Sequence, residues 1–307
     1  MTLGFDLGGT TIKAGLVDAN GHIVAFSKET TPTTVAAFRS ALESLARGLM
    51  TQTQESISGA GFACKGLIDA ESTLVIANPG PTVFLEGHTL ASLVADALPS
   101  DCHIAGDNDG RAALAGEVKW GAAKGCKDAL MFTLGTGVGG GVLAGGRIIR
   151  GAGGIGGHLG HVTVDPWGAY CICGSRGCVE TIFSARAIES AADEMIHRSV
   201  DTILRGSPAR PPTCEYVFAA AQQGDAVARH IVDHATVALG AAMAGLAHAL
   251  DPEIIIVGGQ IAEAGEYLFE KLRMEINWRT RKFLRREVPL VPAQVKDSIA
   301  GAAALVS

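Results

Sequence analysis

The stretch FDLGGTTIK at residues 5–13 decides the fold. Leu3 to Leu7 is a short apolar run, Gly8, Gly9 and Thr10 make a turn, and Ile12 to Val17 is a second apolar run. Short apolar runs punctuated by glycine predict a strand–turn–strand unit, and Asn20 with Gly21 then reads as a tight hairpin turn. The pattern returns at FTLG, residues 132–135, which echoes FDLG at 5–8. Both copies run into a glycine turn, a second apolar strand (Gly15–Val17 and Gly141–Leu143) and a polar or glycine turn (Ala19–Gly21 and Gly145–Arg147). Helices and further strands follow each copy, which predicts a duplicated α/β architecture.

Working outward, Val35, Phe38, Leu42, Leu45 and Leu49 share one helical face. Strands are predicted near 59–63, 74–77 and 103–105, with a helix near 90–98. In the second half a helix near 185–197 is separated by the loop RGSPARPP, residues 205–212, from a helical stretch running from 215 to 250. Within it, the weakly polar run from Ala235 to Leu250 is too short to span a bilayer and reads as a core helix. Gly240, Ala244 and Gly245 would let a neighbouring helix pack closely. A buried strand at 253–257 ends in Gly258 and Gly259. A helix near 264–280 and a closing helix at 300–306 complete the chain.

At 307 residues the length suggests about two domains, at roughly 150 residues each. Hydrophobic residues at 48% and charged residues at 18% exclude a disordered chain. A net charge of −6 argues against a dedicated nucleic-acid binder. The N-terminus has no basic region and no signal-peptide pattern, so a cytoplasmic protein without membrane partners is expected. Seven cysteines, an odd number, argue against a disulfide framework.

Three glycine turns follow apolar strands: Gly8-Gly9-Thr10, Gly135-Thr136-Gly137 and Gly258-Gly259. Backbone amides at such turns can approach phosphate oxygens, and three of them at equivalent strand ends imply a nucleotide. No GxxxxGK[ST] is present, and no GxGxxG opens a helix after the first strand, so P-loop and dinucleotide folds are disfavoured. His161, Cys171, Cys173 and Cys178 cluster, and neighbouring thiolates repel without a cation. Three thiolates and one imidazole would complete a closed tetrahedral zinc site, structural rather than catalytic. Asp107, Asn108 and Asp109 follow an apolar strand and start a helix, where an aspartate serves equally as a helix cap or as a base.

Together, FDLGGTTIK at 5–13, DND at 107–109, LGTGVGGG at 134–141 and CICGSRGCVE at 171–180 resemble the ROK family of sugar kinases, within the actin- and hexokinase-like superfamily. The resemblance covers essentially the whole chain. It implies two α/β domains with sugar and ATP in a cleft that closes on sugar binding. The expected division is 1–118 with 296–307 against 119–295. By matching positions, Asp6 would sit near Mg²⁺ and the γ-phosphate. Gly8, Gly9, Thr10, Gly135, Thr136 and Gly137 would embrace the phosphates, and Gly258 and Gly259 would lie by the adenosine. Lys13 reads equally as an ATP-site lysine or a solvated hairpin lysine. Asp109 matches the family's general base. Asn78, Asn108, His161 and Glu180 match sugar contacts, with His161 also a zinc ligand.

Three positions depart from the family pattern. Gly110 and Arg111 stand after Asp109, where a small residue and asparagine are usual. Asn78 is followed by Pro79-Gly80, with no tryptophan nearby. His158 replaces a glutamate that contacts the sugar, and an imidazole cannot act as a bidentate carboxylate. His158 is thus either a sugar contact of different preference or a packed residue.

The resemblance implies ATP-dependent phosphorylation of a hexose at its primary hydroxyl, glucose favoured, with N-acetylglucosamine, N-acetylmannosamine or fructose as alternatives, and a homodimer. A silent sugar sensor is the competing class. Family repressors carry a DNA-binding domain before this motif, and only five residues precede Asp6. His230 and His234, one helical turn apart, and the basic run Arg279–Arg286 read as solvated helix surface.

Overall fold

The computed structural model describes residues 1–78, 80–198 and 200–306. Pro79 therefore lies outside the described residues. The strands are β1 (Thr2–Leu7), β2 (Thr11–Val17), β3 (Ile23–Thr30), β4 (Gly59–Cys64), β5 (Leu67–Asp69), β6 (Leu74–Ala77), β7 (His103–Asn108), β8 (Ala129–Leu134), β9 (Val138–Ala144), β10 (Arg147–Ile148), β11 (Ile254–Gly258) and β12 (Leu290–Pro292). The helices are α1 (Val35–Met50), α2 (Asp109–Trp120), α3 (Glu180–Phe183), α4 (Ala185–His197), α5 (Cys214–Gln222), α6 (Ala226–Leu250), α7 (Glu266–Leu284) and α8 (Ser298–Ala304).

The chain divides into two compact units. The first comprises Met1–Gly125, Ile148–Gly157 and Ala293–Ser307, and the second Cys126–Arg147 and His158–Pro292. Their five-stranded sheets have equivalent orders, β3-β2-β1-β4-β7 and β10-β9-β8-β11-β12. In each, an antiparallel hairpin (β1/β2 or β8/β9) leads to two parallel neighbours. The repeat read between residues 5–8 and 132–135 is thus repeated as topology. The division differs from the expected one in one respect beyond a few residues at the boundaries. Residues 148–157 belong with the first unit, for a reason that lies in α2.

The core of the first unit gathers Leu3, Phe5 and Leu7 of β1, Phe62 of β4 and the inner face of α1. Phe5 and Phe62, paired in register, stack at 4.7 Å between ring centroids. The closing helix α8 lies directly on the sheet. A Cβ at Gly61 would stand 1.9 Å from the Ala302 carbonyl oxygen, and one at Gly4 2.1 Å from that of Ile299. Small residues on both surfaces are therefore what permits this contact.

Two expected helices differ. Residues 90–98 form only a short 3-10 turn, Ala91–Leu93. The apolar residues Leu90, Leu93, Val94 and Ala97 are buried as expected. However, the Leu90 amide donates to the Thr73 carbonyl at 2.9 Å and that of Ala91 to Thr73 Oγ1 at 3.2 Å, so the segment is tied to the β5/β6 hairpin. The stretch 215–250 is broken between α5 and α6. Gly224 adopts φ +99°, and Asp225 starts α6 by accepting from the Ala228 amide at 2.8 Å. Helix α6 is long and apolar enough to cross a bilayer, and 61% of its most apolar window is buried within the protein, as a core helix requires. Its Gly240 faces Glu275 of α7, 2.5 Å from a Cβ placed there, whereas Gly245 meets nothing. Of the two glycines, Gly240 thus permits the close helix contact, and Ala244 is buried.

Candidate active site

Three parallel strands of the first unit end level with one another. Leu7 of β1 is opposite Cys64 of β4, and Cys64 is opposite Asn108 of β7. The next residues, Gly8, Lys65 and Asp109, therefore stand along one edge. The Gly8–Thr10 turn is held by Thr31, whose hydroxyl donates to the Gly8 carbonyl at 2.7 Å and whose amide donates to the Thr10 carbonyl at 3.0 Å. Asp6 accepts from the Ser298 hydroxyl at 2.6 Å and lies 3.8 Å from Lys13 Nζ, its cross-strand partner. Lys13 is thus neither free nor buried, and its ammonium balances Asp6.

Asp109 opens α2. Asn108 caps the helix, its Oδ1 accepting from the Gly110 amide at 3.0 Å while its Nδ2 donates to the Gly66 carbonyl at 3.0 Å. Both polar ends of Asn108 are therefore engaged by backbone. Solvent reaches Asp109, yet protein packed around its carboxyl pushes the pKa above the ordinary aspartate range. The Gly110 amide pulls the other way, the Asp6 charge adds to the rise, and Lys65 opposes it. A carboxylate of raised pKa is, in its ionised form, a stronger base. Asn78 is fully buried, its Nδ2 donating weakly to Cys64 Sγ at 3.7 Å, and its Oδ1 has no protein partner.

Beneath this edge lies a buried ion network that the sequence reading missed. Arg111 and Asp107 are both fully buried, with Arg111 Nε donating to Asp107 Oδ1 at 2.6 Å. Arg150 donates to the other oxygen at 2.8 Å. Arg111 Nη1 also donates to the carbonyls of Gly154 and Gly156, at 2.9 and 2.7 Å. Segment 148–157 joins the first unit through these bonds. The signal was available in part, because Asp107 and Arg111 are spaced i,i+4. The partners at 150–156 carry no such spacing.

In the second unit Gly135, Thr136 and Gly137 form the turn between β8 and β9. Glu180, at the start of α3, accepts from the Val138 amide at 2.8 Å, and a Cβ at Gly137 would lie 2.5 Å from its Oε2. The carboxylate expected to contact a sugar thus has one oxygen engaged in holding this turn. Gly258 ends β11 opposite Thr133. Gly259, at φ +87°, packs where a Cβ would meet the Leu134 carbonyl oxygen at 2.4 Å.

His161, Cys171, Cys173 and Cys178 bring their donor atoms within 4.8 Å of one another. Cys171 Sγ is 3.5 Å from His161 Nδ1, and Cys173 Sγ is 3.7 Å from Cys178 Sγ. Zinc bound tetrahedrally, at about 2.3 Å to sulfur and about 2.0 Å to nitrogen, sets its ligand atoms roughly 3.5–3.8 Å apart. The quartet fits such an ion. The hairpin carrying it is closed by the Cys171 amide on the Ser175 carbonyl at 2.8 Å and the Val164 amide on the Gly177 carbonyl at 2.8 Å. His158 precedes the 3-10 turn that carries His161, and the two rings stack with centroids 6.3 Å apart.

Twin sheets of one strand order, each with a glycine turn at the end of its first strand, are the architecture of the actin-like ATPase fold. Within that fold the chain belongs to the ROK family, whose model matches residues 2–307. It is 37% identical over 282 residues to the glucokinase of Thermotoga maritima, covering 89% of this chain and 86% of that protein. An N-acetylmannosamine kinase of Escherichia coli O157:H7 is 34% identical over 274 residues, covering 87% of this chain and 85% of that one. Among solved structures, a ROK family glucokinase from Streptomyces griseus in complex with glucose and AMPPNP has a TM-score of 0.78 and 30% identity. That match covers 99% of this chain and 97% of the other.

Arg111→Met leaves the buried Asp107 with the exposed Arg150 as its one cationic partner among the described residues. Breaking such a pair costs about 3 kcal/mol, whereas Arg150→Met, at a half-exposed partner, costs about 1 kcal/mol or less. Urea unfolding followed by circular dichroism measures both. Equal midpoints for the two variants would contradict the assignment of Arg111 as the anchor.

Proposed function

We propose that this chain is an ATP-dependent sugar kinase that transfers the γ-phosphoryl group of ATP to the C6 hydroxyl of a hexose, glucose favoured. The observation that carries the reading is Asp109, a carboxylate of raised pKa on the same strand edge as the Gly8–Thr10 turn. The glucokinase relatives support the substrate class. Asp109 takes the proton of the hydroxyl as its oxygen bonds to the γ-phosphorus, and the bond from that phosphorus to the bridging oxygen breaks to release ADP. Asn108, through the second N–H of the Nδ2 that serves the Gly66 carbonyl, and Asn78 bind neighbouring sugar hydroxyls, and the unpartnered Asn78 Oδ1 suits that role. Amides of Gly8, Gly9, Thr10, Gly135, Thr136 and Gly137 hold phosphates, with Lys13 beside them and Gly258 and Gly259 by the adenosine. Mg²⁺, when bound with the nucleotide, neutralises phosphate charge. One carboxylate, that of Asp6, plus phosphate oxygens is a donor set of the kind it takes. His161, Cys171, Cys173 and Cys178 hold a structural zinc ion that shapes the loop carrying His158 and Glu180. A cytoplasmic enzyme fits seven cysteines of which none is in a disulfide. A homodimer fits the exposed Met274, Trp278 and Phe283 of α7.

A second reading, an N-acetylmannosamine kinase, is favoured by His158. An imidazole offers one donor and one acceptor and so suits a substituent carbonyl. The E. coli relative supports the same reading.

Asp109→Asn should lower kcat by about 10²–10⁴-fold while calorimetry still detects sugar binding. In the wild type, activity requires Asp109 deprotonated, so it should fall as pH drops through a value above the ordinary aspartate pKa of 3.8. Near-normal turnover in the variant would sink the base assignment.

Metal analysis of purified protein should find one zinc per chain. Cys178→Ser should lose the metal and lower the melting temperature, and full metal content in that variant would defeat the ligand set.

His158→Glu should reorder kcat/KM across glucose, mannose and their N-acetyl derivatives while the KM for ATP holds. A panel unchanged in order would mean that His158 does not touch the sugar.

A further inference from the structure

We propose that Lys65 is a further catalytic residue of this site. Its ammonium would neutralise the phosphoryl group as it passes from the nucleotide held at the Gly8–Thr10 turn to the hydroxyl activated by Asp109. The inference rests on the kinase reading and adds a residue to it.

The placement follows from register. Leu7, Cys64 and Asn108 are opposite one another on β1, β4 and β7, so the first residues beyond them run Gly8, Lys65, Asp109 across the edge. Lys65 is the middle one, between the glycine turn and the base. Its backbone is fixed there by Gly66. That glycine adopts φ +96°, packs where a Cβ would meet the Ala77 carbonyl oxygen at 2.1 Å, and receives the Asn108 side-chain amide at 3.0 Å. The lysine is therefore carried by a pinned turn adjoining the catalytic helix start.

Charge supports the same conclusion. Two carboxylates, Asp6 and Asp109, face this edge, and Lys13 is already paired with Asp6 at 3.8 Å. A nucleoside triphosphate stays anionic even with one Mg²⁺ bound, and it would add that charge to the two carboxylates at this edge. Lys65 is exposed and makes no contact ion pair among the described residues, so its charge is available to a ligand. It is close enough to Asp109 to oppose the rise in that carboxyl's pKa. An exposed lysine is most often only a solvated surface group. Here the pinned turn, the central position and the unmet negative charge set it apart.

The role needs no proton from Lys65. The hydroxyl oxygen bonds to phosphorus, Asp109 takes the hydroxyl proton, ADP leaves, and the ammonium stays protonated. Charge stabilisation of this kind, made where charge moves in the transition state, acts on kcat rather than on sugar binding.

The test measures ADP release with saturating ATP and glucose, or the best acceptor of the panel, for the wild type, Lys65→Met and Lys65→Arg. Melting temperatures and pH profiles are recorded alongside. Lys65→Met should lower kcat by about 10²-fold, with the sugar KM and melting temperature nearly unchanged. Lys65→Arg should recover part of the loss. The acid limb of kcat/KM in Lys65→Met should move to higher pH, because the cation that holds Asp109 down is gone. The other titratable groups facing Asp109 are Asp6 and Cys64. Burial, with the two carboxylates nearby, pushes the Cys64 thiol up to about 12, so it stays neutral across that range. Wild-type kcat in Lys65→Met would overturn the inference alone, as would a loss that arginine does not recover with an unmoved acid limb. A wild type that releases no ADP with any sugar would overturn the kinase reading and the Lys65 role together.

Discussion

Asp107 and Arg111, two opposite charges with no exposed surface, hold together the part of the molecule on which the proposed chemistry depends. Charges taken fully out of water must be paired and hydrogen-bonded, or they unfold their surroundings. Here the pairing runs in three directions. Asp107 accepts from its own neighbour's amide, that of Asn108, at 2.8 Å, which fixes the residue before Asp109. It takes Arg111 from the first turn of α2, which fixes the helix that Asp109 opens. Through Arg111 and Arg150 it binds segment 148–157, which sequence order places in the second repeat. Removal of the guanidinium would disturb Asp109, the helix start and the glycine-rich segment at once, because none can relax without exposing the same carboxylate to an unpaired state.

The second unit has its own chain of dependence, running outward from the cysteine hairpin. Cys178 lies two residues before Glu180, whose carboxylate holds the Val138 amide and closes against Gly137. A metal ion on the quartet would therefore stiffen more than its own loop, since the backbone from Cys178 into α3 sets where Glu180 can reach. Metal-free, burial and the neighbouring thiols push Cys178 up to about 12, so loading requires the release of protons. Zinc affinity and the order of the second glycine turn are linked on this argument, and both should weaken as pH falls.

What was legible in the sequence was what neighbouring residues encode. The glycine turns, the histidine–cysteine quartet and the Asp107–Asp109 helix start each lie within a short stretch, and the repeat of FDLG at 132–135 carried the topology of both sheets. Contacts between distant residues were not legible. Ser298 and Asp6 bond across 292 positions, and no local pattern marks the pair. The helix expected at 90–98 had the right apolar spacing, but Thr73 takes the amides that a helix start would have oriented otherwise. The break between α5 and α6 could have been found, since Gly224 followed by Asp225 is a helix stop followed by a helix start. Continuous apolar patterning on both sides concealed it. Glu180 was matched to a sugar, and its bond to Val138 depends on a loop closure that spacing does not describe.

The departures from the family pattern fall into two physical kinds. Arg111 is a change that carries its own compensation. A long cation in a buried position would be ruinous alone, but it meets Asp107 and two carbonyls, so its effect is on packing and leaves Asp109 at the start of α2. His158 is different. It stands at the head of the turn that carries His161, its ring stacked on that imidazole, and a change of residue there alters the hydrogen-bonding repertoire offered beside the histidine–cysteine quartet without altering the quartet. A site that pairs a polar group rejects analogues lacking it far more strongly than an apolar wall does. The first kind of departure is absorbed by the fold. The second is not absorbed in this way, because it changes the polar groups offered at the surface of the turn and leaves the buried packing as it is.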